Sequence, residues 1–150
     1  MKTAYFSLGC FWSPQLEFEK IEGVKKAEVG YCGGNDPNTT YEKVCSGSTN
    51  HAETVKIEFD ENVVSYEELV KVFFKIHDPT QLNRQGPDIG TQYRSEIFYK
   101  DGEQKKIAEK VKNEFNKKLN GKVVTNISKE KLYQAAESYH QYYLKNKGIL

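Results

Sequence analysis

The sequence has few cysteines and no excess of charge of either sign, and each of these features excludes some classes of protein. Its 150 residues include three cysteines, an odd number and too few for a disulfide scaffold. Such scarcity is typical of a chain that works in a reducing compartment and keeps a thiol for chemistry. Lysine and arginine number 22 against 21 acidic residues, a net charge of +1. Because nucleic-acid-binding domains carry a basic excess, we expect no nucleic-acid partner.

Long apolar runs are also missing. No stretch approaches the roughly 18 consecutive apolar residues that a membrane-spanning helix requires. The segment from Thr3 to Cys10 is too short for the charged and apolar regions of a signal peptide. We therefore expect a cytoplasmic protein that makes no membrane contact.

The cysteines and histidines lack the spacing of a metal site. Cys10, Cys32 and Cys45 include no Cys-x-x-Cys pair, and the three histidines include no pair separated by three to five residues. We therefore expect no bound metal.

Hydrophobic periodicity predicts five strands and three helices in a single domain that spans residues 1–150. In chain order these elements are strand 4–9, helix 13–22, strands 24–31 and 51–60, helix 65–77, strand 93–100, helix 103–119 and strand 123–127. The polar segments 35–50 and 78–91 are predicted to be long loops, and the Tyr-rich tail from Lys131 is predicted to be partly helical. Strands interleaved with helices indicate an α+β fold of two layers, with one mixed sheet covered by helices.

Cys10 lies between the first predicted strand and the first predicted helix. At a helix N-terminus the macrodipole and unpaired backbone N–H groups favour the thiolate. We therefore expect a lowered thiol pKa and a nucleophile, with a buried structural cysteine as the alternative. Phe11 and Trp12 follow directly, and their rings either join the core or form an apolar pocket over the sulfur.

Motifs spread over about residues 4–145 resemble those of one enzyme family. Gly9-Cys10-Phe11-Trp12 is similar to the signature of peptide methionine sulfoxide reductase A. Further similar segments follow in the family's order: GYCGG at 30–34, TY at 40–41, VCSG at 44–47, HAE at 51–53, HDPTQ at 77–81, RQG at 84–86, Asp88, GTQYRS at 90–95, AE at 136–137 and HQ at 140–141. The resemblance implies a ferredoxin-like core within the two-layer sandwich, with long loops around the active site.

The resemblance also implies the chemistry. Cys10 would attack the sulfur of methionine S-sulfoxide, in proteins or as the free amino acid, and become a sulfenic acid. Glu53 would protonate the leaving oxygen, which requires a carboxyl pKa raised by a sheltered site. No bound cofactor is implied, only a thiol reductant.

The remaining implied roles concern substrate binding. Tyr41 and Tyr93 would hydrogen-bond the sulfoxide oxygen, and Asp88 would organise the pocket and its water. Phe11 and Trp12 would enclose the terminal methyl group. His51 and His140 lie in similar segments and are interpreted as structural. Tyr143 is a weaker candidate for the site.

Two positions depart from the family pattern. Ser13 replaces the usual Gly after Trp12, a change that suits a helix start. The end of the chain, from Lys145, lacks the recycling cysteines of many family members. We therefore expect an external thiol to reduce the sulfenic acid, such as thioredoxin, glutaredoxin with glutathione, or another small thiol. Cys32 is the preferred internal alternative and Cys45 the less favoured one, and either would need Cα atoms within roughly 7 Å of Cys10.

Two other functions share an oxidisable cysteine. A thiol peroxidase would use Cys10 but would not need paired rings to hold a methyl group. A non-catalytic redox sensor or sulfoxide-binding module would not need Glu53, Tyr41 and Tyr93 together. The motifs therefore favour the reductase.

Overall fold

The computed structural model describes residues 1–36, 38–47 and 49–143. Within these ranges the strands are β1 Lys2–Leu8, β2 Val24–Cys32, β3 Ala52–Phe59, β4 Arg84–Gln85, β5 Asp88–Ile89, β6 Ser95–Tyr99, β7 Asn126–Lys129 and β8 Gln134–Ala135. The α-helices are α1 Trp12–Glu19, α2 Tyr41–Cys45, α3 Tyr66–Lys75 and α4 Gly102–Lys118, and 3₁₀ turns lie at Thr91–Tyr93 and Ser138–His140.

Six of these strands form one mixed sheet in the order β7-β6-β1-β3-β2-β8. The β6–β7 pair is parallel, and the other neighbouring pairs are antiparallel. Because β3 separates β1 from β2, and β1 separates β3 from β6, the units β1–α1–β2 and β3–α3–β6 interlock. This arrangement is the ferredoxin-like core, and it confirms the prediction of an α+β sandwich with a mixed sheet.

The two faces of the sheet carry different apolar clusters. On the helix-covered face, Phe18 of α1 and Phe73 of α3 pack on Phe6 of β1, with ring centroids 5.3 and 5.4 Å apart. A smaller cluster on the opposite face includes Tyr5 and Cys32. Neighbouring residues of a strand point to opposite faces, which is why Tyr5 and Phe6 lie in different clusters.

Side chains of Thr40, Ser65 and Asp101 cap the starts of α2, α3 and α4, whereas α1 has no side-chain cap. The Ser65 hydroxyl accepts from the backbone N–H of Glu68 at 3.0 Å, the bond expected from the Ser-x-x-Glu pattern of a capping box. In contrast, α1 begins with Phe11 as its cap residue, and Phe11 offers no side-chain acceptor. The N–H of Phe11 instead donates to a carboxyl from β3, so the start of α1 is tied to the neighbouring strand.

The polar segments contain short elements that periodicity does not reveal. Helix α2 lies within 35–50, and the β4–β5 hairpin lies within 78–91. The strand expected at 123–127 lies at Asn126–Lys129. The described part of the tail forms β8 and the 3₁₀ turn Ser138–His140, and residues 144–150, part of the segment predicted to be partly helical, lie outside the described residues. Tertiary contacts hold these pieces: the Gln134 amide, for example, bonds both the N–H and the carbonyl of Thr39, at 2.8 and 2.6 Å.

The longest helix, α4, has 17 residues and a mostly charged surface. Its buried residues include Ala108 and Val111, which join the core beside α3 and β6. In the described part of the chain, no helix is both long and apolar enough to cross a membrane.

Candidate active site

Gly9 brings the chain from β1 to the start of α1. Its φ of +98° lies in the region that favours glycine. A Cβ at this position would also approach the Gln85 side chain to 2.8 Å. The glycine therefore allows Cys10 to lie at the strand end, where its side chain borders a cavity of about 190 Å³ that Gln85, His77 and Asp88 also line.

The Cys10 thiol is half-buried, and its surroundings do not favour the thiolate in the free protein. Burial raises the thiol pKa most, the nearby charge of Glu53 adds to this, and the result is a pKa of about 12. A hydrogen bond from the Trp12 backbone acts in the opposite direction, as expected at a helix start. The expectation of a lowered pKa is therefore wrong for the free protein, because desolvation and negative charge outweigh the helix terminus.

Glu53 of β3 is the buried carboxyl beside Cys10. The residue is only 1% exposed, and its Oε1 accepts from the Phe11 N–H at 3.3 Å. Its Oε2 is buried and has no hydrogen-bond partner among the described residues. Burial raises the carboxyl pKa to about 8, although the Phe11 bond lowers it and Asp88 raises it further. The carboxyl is therefore protonated at neutral pH, the state that a general acid requires.

Two phenols lie close to this pair. Tyr41 begins α2, and Tyr93 ends the 3₁₀ turn Thr91–Tyr93. Burial and then the charge of Glu53 raise the pKa of Tyr93, with smaller contributions from Cys45, Asp88 and Cys10. The pKa of Tyr41 is raised by burial first and also by Glu53 and Tyr93. Both hydroxyls therefore stay protonated and can donate hydrogen bonds, as the implied role requires.

The two rings after Cys10 differ in exposure. Phe11 is 1% exposed and packs against Tyr31, with ring centroids 5.8 Å apart, so it joins the core. Trp12 is only partly buried and stacks on Tyr143, with centroids 3.8 Å apart and an interplanar angle of 13°. Of the two rings, Trp12 is the one that an incoming apolar group meets first.

The other cysteines lie in different surroundings. Cys32 is fully buried on the face opposite the helices, and its Sγ donates to the carbonyl of Lys131 at 3.3 Å. Burial raises its pKa to about 11. Cys45 is half-buried at the end of α2, near the hydroxyl of Tyr41, whose pKa it helps to raise after burial. Cys32 thus lies in the smaller cluster, whereas Cys45 is near enough to Cys10 to raise its pKa, and the choice between them as internal partner stays a prediction.

A group of polar residues whose role the sequence does not reveal holds the tail over the site. Glu137 accepts from the Tyr31 hydroxyl at 2.8 Å and from the Tyr41 N–H at 3.0 Å. The Gln141 amide bonds both backbone groups of Val29, at 3.0 and 2.8 Å. These contacts bring the 3₁₀ turn Ser138–His140 against Trp12. The only sequence signal for them was the pair of short segments at 136–137 and 140–141.

The histidines serve as hydrogen-bonding groups. His51 accepts from the Gly34 N–H through Nδ1 at 3.0 Å, and its Nε2 bonds the Asp36 carbonyl at 2.7 Å, so it ties loop 35–50 to the start of β3.

Throughout residues 1–36, 38–47 and 49–143, no three His, Cys, Asp or Glu side chains cluster as metal ligands would.

Comparison with known proteins assigns the family. Residues 2–149 match the family described as peptide methionine sulfoxide reductase. The MsrA of Pelagibacter ubique is 56% identical over 147 residues, which are 98% of this chain and 100% of that relative. The reduced form of Mxr1 from Saccharomyces cerevisiae is 36% identical with a TM-score of 0.93, over 98% of this chain and 86% of Mxr1. Mxr1 in complex with Trx2 superposes with a TM-score of 0.68 at 24% identity, over 95% of this chain and 84% of that one.

These matches span nearly the whole chain. The chain belongs to the peptide methionine sulfoxide reductase family, and it is an oxidoreductase that acts on methionine sulfoxide.

Proposed function

We propose that this chain, folded as a single domain over residues 1–150, reduces methionine S-sulfoxide in peptides, in proteins and as the free amino acid through a sulfenic acid on Cys10. The observation that carries this role is the pair formed by a half-buried thiol and a buried carboxyl with a pKa of about 8. A sulfoxide oxygen leaves only if it is protonated, and a protonated Glu53 can supply that proton at neutral pH.

The substrate is held by groups on both sides of the reacting sulfur. Its methyl group rests against Trp12, and its oxygen accepts hydrogen bonds from the Tyr41 and Tyr93 hydroxyls. Asp88, which lines the cavity next to Cys10, orders the water that enters there. Phe11 supports the methyl site from the core and positions Glu53 through its backbone N–H.

The reaction transfers the oxygen of the substrate to the enzyme. The Cys10 sulfur bonds to the sulfoxide sulfur, Glu53 protonates the oxygen, and the thiol proton passes to the Glu53 carboxylate. The hydroxyl then moves to Cys10 as the S–S bond and the substrate's S–O bond break, and the electron pair of the S–S bond stays on the substrate sulfur. The products are a Cys10 sulfenic acid and the thioether of methionine, so the cysteine sulfur loses two electrons and the substrate sulfur gains them. The high thiol pKa of the free protein fits this sequence, because the thiol loses its proton only when Glu53 gives one up, and no second buried negative charge is formed.

An external thiol then reduces the sulfenic acid. Cys32 is sealed in the cluster on the opposite face, whereas Cys10 is half-buried at the surface of the site. The relative Mxr1 forms a complex with Trx2. We propose that thioredoxin, glutaredoxin with glutathione or another small thiol serves this chain, in the reducing cytoplasm.

A coupled assay tests the function. With dithiothreitol as the reductant and a mixture of both epimers of a methionine-sulfoxide peptide, we expect complete loss of the S-epimer while the R-epimer remains, as followed by chiral chromatography. Loss of the R-epimer alone would contradict the stereochemistry. Tight binding without turnover would support the non-catalytic module instead.

A single-turnover experiment without reductant tests how the Cys10 sulfenic acid is reduced. After one equivalent of methionine sulfoxide without reductant, we expect mass spectrometry to find Cys10 as a sulfenic acid that dimedone traps, with Cys32 and Cys45 still reduced. The Cys45→Ser variant is the control, because its trapped fraction should equal that of the unaltered chain. A peptide pair linked through Cys10 and Cys45 would contradict direct attack by an external thiol.

A further inference from the structure

We propose that His140 is a positioning residue, which orients the Trp12 indole and so shapes the site for the substrate's methyl group. This role rests on the proposed function, because it concerns substrate binding at the same site. Neither the family motif around Cys10 nor the tail sequence assigns it.

The contact that carries the inference is a hydrogen bond between the two rings. Trp12 Nε1–H donates to His140 Nδ1 at 3.1 Å, across 128 positions of the chain. An indole N–H can only donate, so Nδ1 carries no proton and the imidazole is neutral with its proton on Nε2. The two ring planes are 25° apart, with centroids at 5.8 Å. The bond therefore fixes both the position and the rotation of the indole.

The same imidazole touches the other half of the site. Its centroid lies 4.3 Å from that of Tyr41, which is proposed to bind the sulfoxide oxygen, and 5.5 Å from that of Phe11. One buried ring thus separates the methyl-binding indole from the oxygen-binding phenol. Since a sulfoxide carries its methyl and its oxygen on the same sulfur, the spacing of these two groups must match the substrate.

His140 is itself held rigidly. It is 2% exposed, and its Nε2 has no hydrogen-bond partner among the described residues. Glu137 precedes it and binds the N–H of Tyr41, while Gln141 follows it and binds Val29 of β2. A histidine buried only to fill space would not need its acceptor nitrogen aimed at the single tryptophan of the chain. Burial lowers the His140 pKa, so that acceptor persists at neutral pH.

Two substitutions separate this role from simple packing. His140→Phe keeps a ring of similar size but removes the acceptor, whereas His140→Asn loses the ring and keeps an acceptor near the Nδ1 position. A positioning role predicts that His140→Phe raises the KM for the S-sulfoxide peptide by about three- to tenfold with kcat little changed, as the loss of one hydrogen bond would. It also predicts that His140→Asn restores KM to within about threefold of the unaltered chain.

A packing role predicts the opposite order, with His140→Phe close to the unaltered chain and His140→Asn impaired by the cavity that it leaves. That order would overturn the inference, as would a His140→Phe variant that loses kcat at constant KM. Tyr133→Phe is the matched control, since it also removes one hydrogen bond, 2.7 Å to Glu28, from a ring on the opposite face of the sheet. We expect its KM and kcat to match those of the unaltered chain.

NMR tests the hydrogen bond between Trp12 and His140 without a variant and without an activity assay. Because the chain has a single tryptophan, its indole N–H gives one ¹⁵N-resolved NMR signal. We expect that signal to be protected from exchange with solvent and to show coupling across the hydrogen bond to a histidine nitrogen. Exchange at the rate of a free indole would overturn the inference even if His140→Phe does not fold. Failure of the proposed function would instead appear as absence of turnover with this signal intact.

Discussion

Replacing Cys10 by serine should reduce the consumption of methionine sulfoxide to background. A serine oxygen keeps its proton at any accessible pH and cannot take up the substrate's oxygen as a stable acid, so no route for electrons remains. We expect a loss of at least about 10⁴-fold in the single-turnover rate, as is typical when a nucleophile is removed. The side chain is half-buried, and the oxygen that replaces sulfur has room beside the cavity of about 190 Å³, so the fold should persist.

The matched control for this loss is Cys32→Ala. Cys32 lies in the cluster on the opposite face of the sheet, away from the groups around Cys10. Removing its sulfur costs packing and a weak bond to Lys131, so we expect a lower midpoint of thermal unfolding but unchanged turnover per folded molecule. Equal losses of turnover in the Cys10 and Cys32 variants would contradict the assignment of the nucleophile, because they would indicate a shared effect on folding.

The parts of the fold that local sequence patterns define were predictable. The capping box at Ser65 marks the start of α3, and the apolar alternation of 51–60 marks β3, because both signals arise within a few residues. Elements α2, β4, β5 and β8 have two to five residues each. Contacts with distant segments hold α2 and β8, and β4 and β5 pair with each other. The Gln134 amide on Thr39 is such a contact, and no periodicity within the tail could indicate it.

The candidate site was also predictable only in part. The resemblance marked Cys10 and Glu53, and their proximity follows from the hydrogen bond between the start of α1 and β3. The thiol pKa could not be predicted from the chain order, because it depends on burial and on a carboxyl 43 positions away. Likewise, which face Cys32 occupies depends on strand register, and the partner of the Trp12 N–H depends on how the tail folds back.

Replacing Glu53 by glutamine should slow the formation of the Cys10 sulfenic acid strongly while it makes the thiol more reactive toward other electrophiles. The amide keeps the shape of the side chain but cannot donate an acidic proton, and general acid catalysis is worth about 10²–10⁴-fold. Burial is the main cause of the thiol pKa of about 12, and the charge of the ionised Glu53 adds to it, so removing that charge should lower the thiol pKa. Above about pH 8, the rate of sulfenic acid formation, measured by rapid quench, and the rate of iodoacetamide alkylation should therefore change in opposite directions.

The rates of alkylation and of sulfoxide reduction should both depend on pH, because the Glu53 carboxyl ionises within the accessible range. Below about pH 8 the Glu53 carboxyl of the unaltered chain is neutral, so its thiol and that of Glu53→Gln should be alkylated at similar rates. Above about pH 8 the carboxyl ionises, and only then should the variant be alkylated faster. Over the same range, sulfoxide reduction by the unaltered chain should stay level up to about pH 8 and then fall, because the reacting state needs the proton of Glu53 and the thiol proton that replaces it.

A second variant separates the charge of Glu53 from its proton. Asp88 also raises the pKa of both Cys10 and Glu53, so Asp88→Asn should lower both while the carboxyl of Glu53 remains available as an acid. We expect it to slow sulfoxide reduction far less than Glu53→Gln does. If Glu53→Gln slowed reduction and alkylation together, Glu53 would be acting on the thiol or on the fold, because the loss of an acid alone cannot make Cys10 a weaker nucleophile toward iodoacetamide.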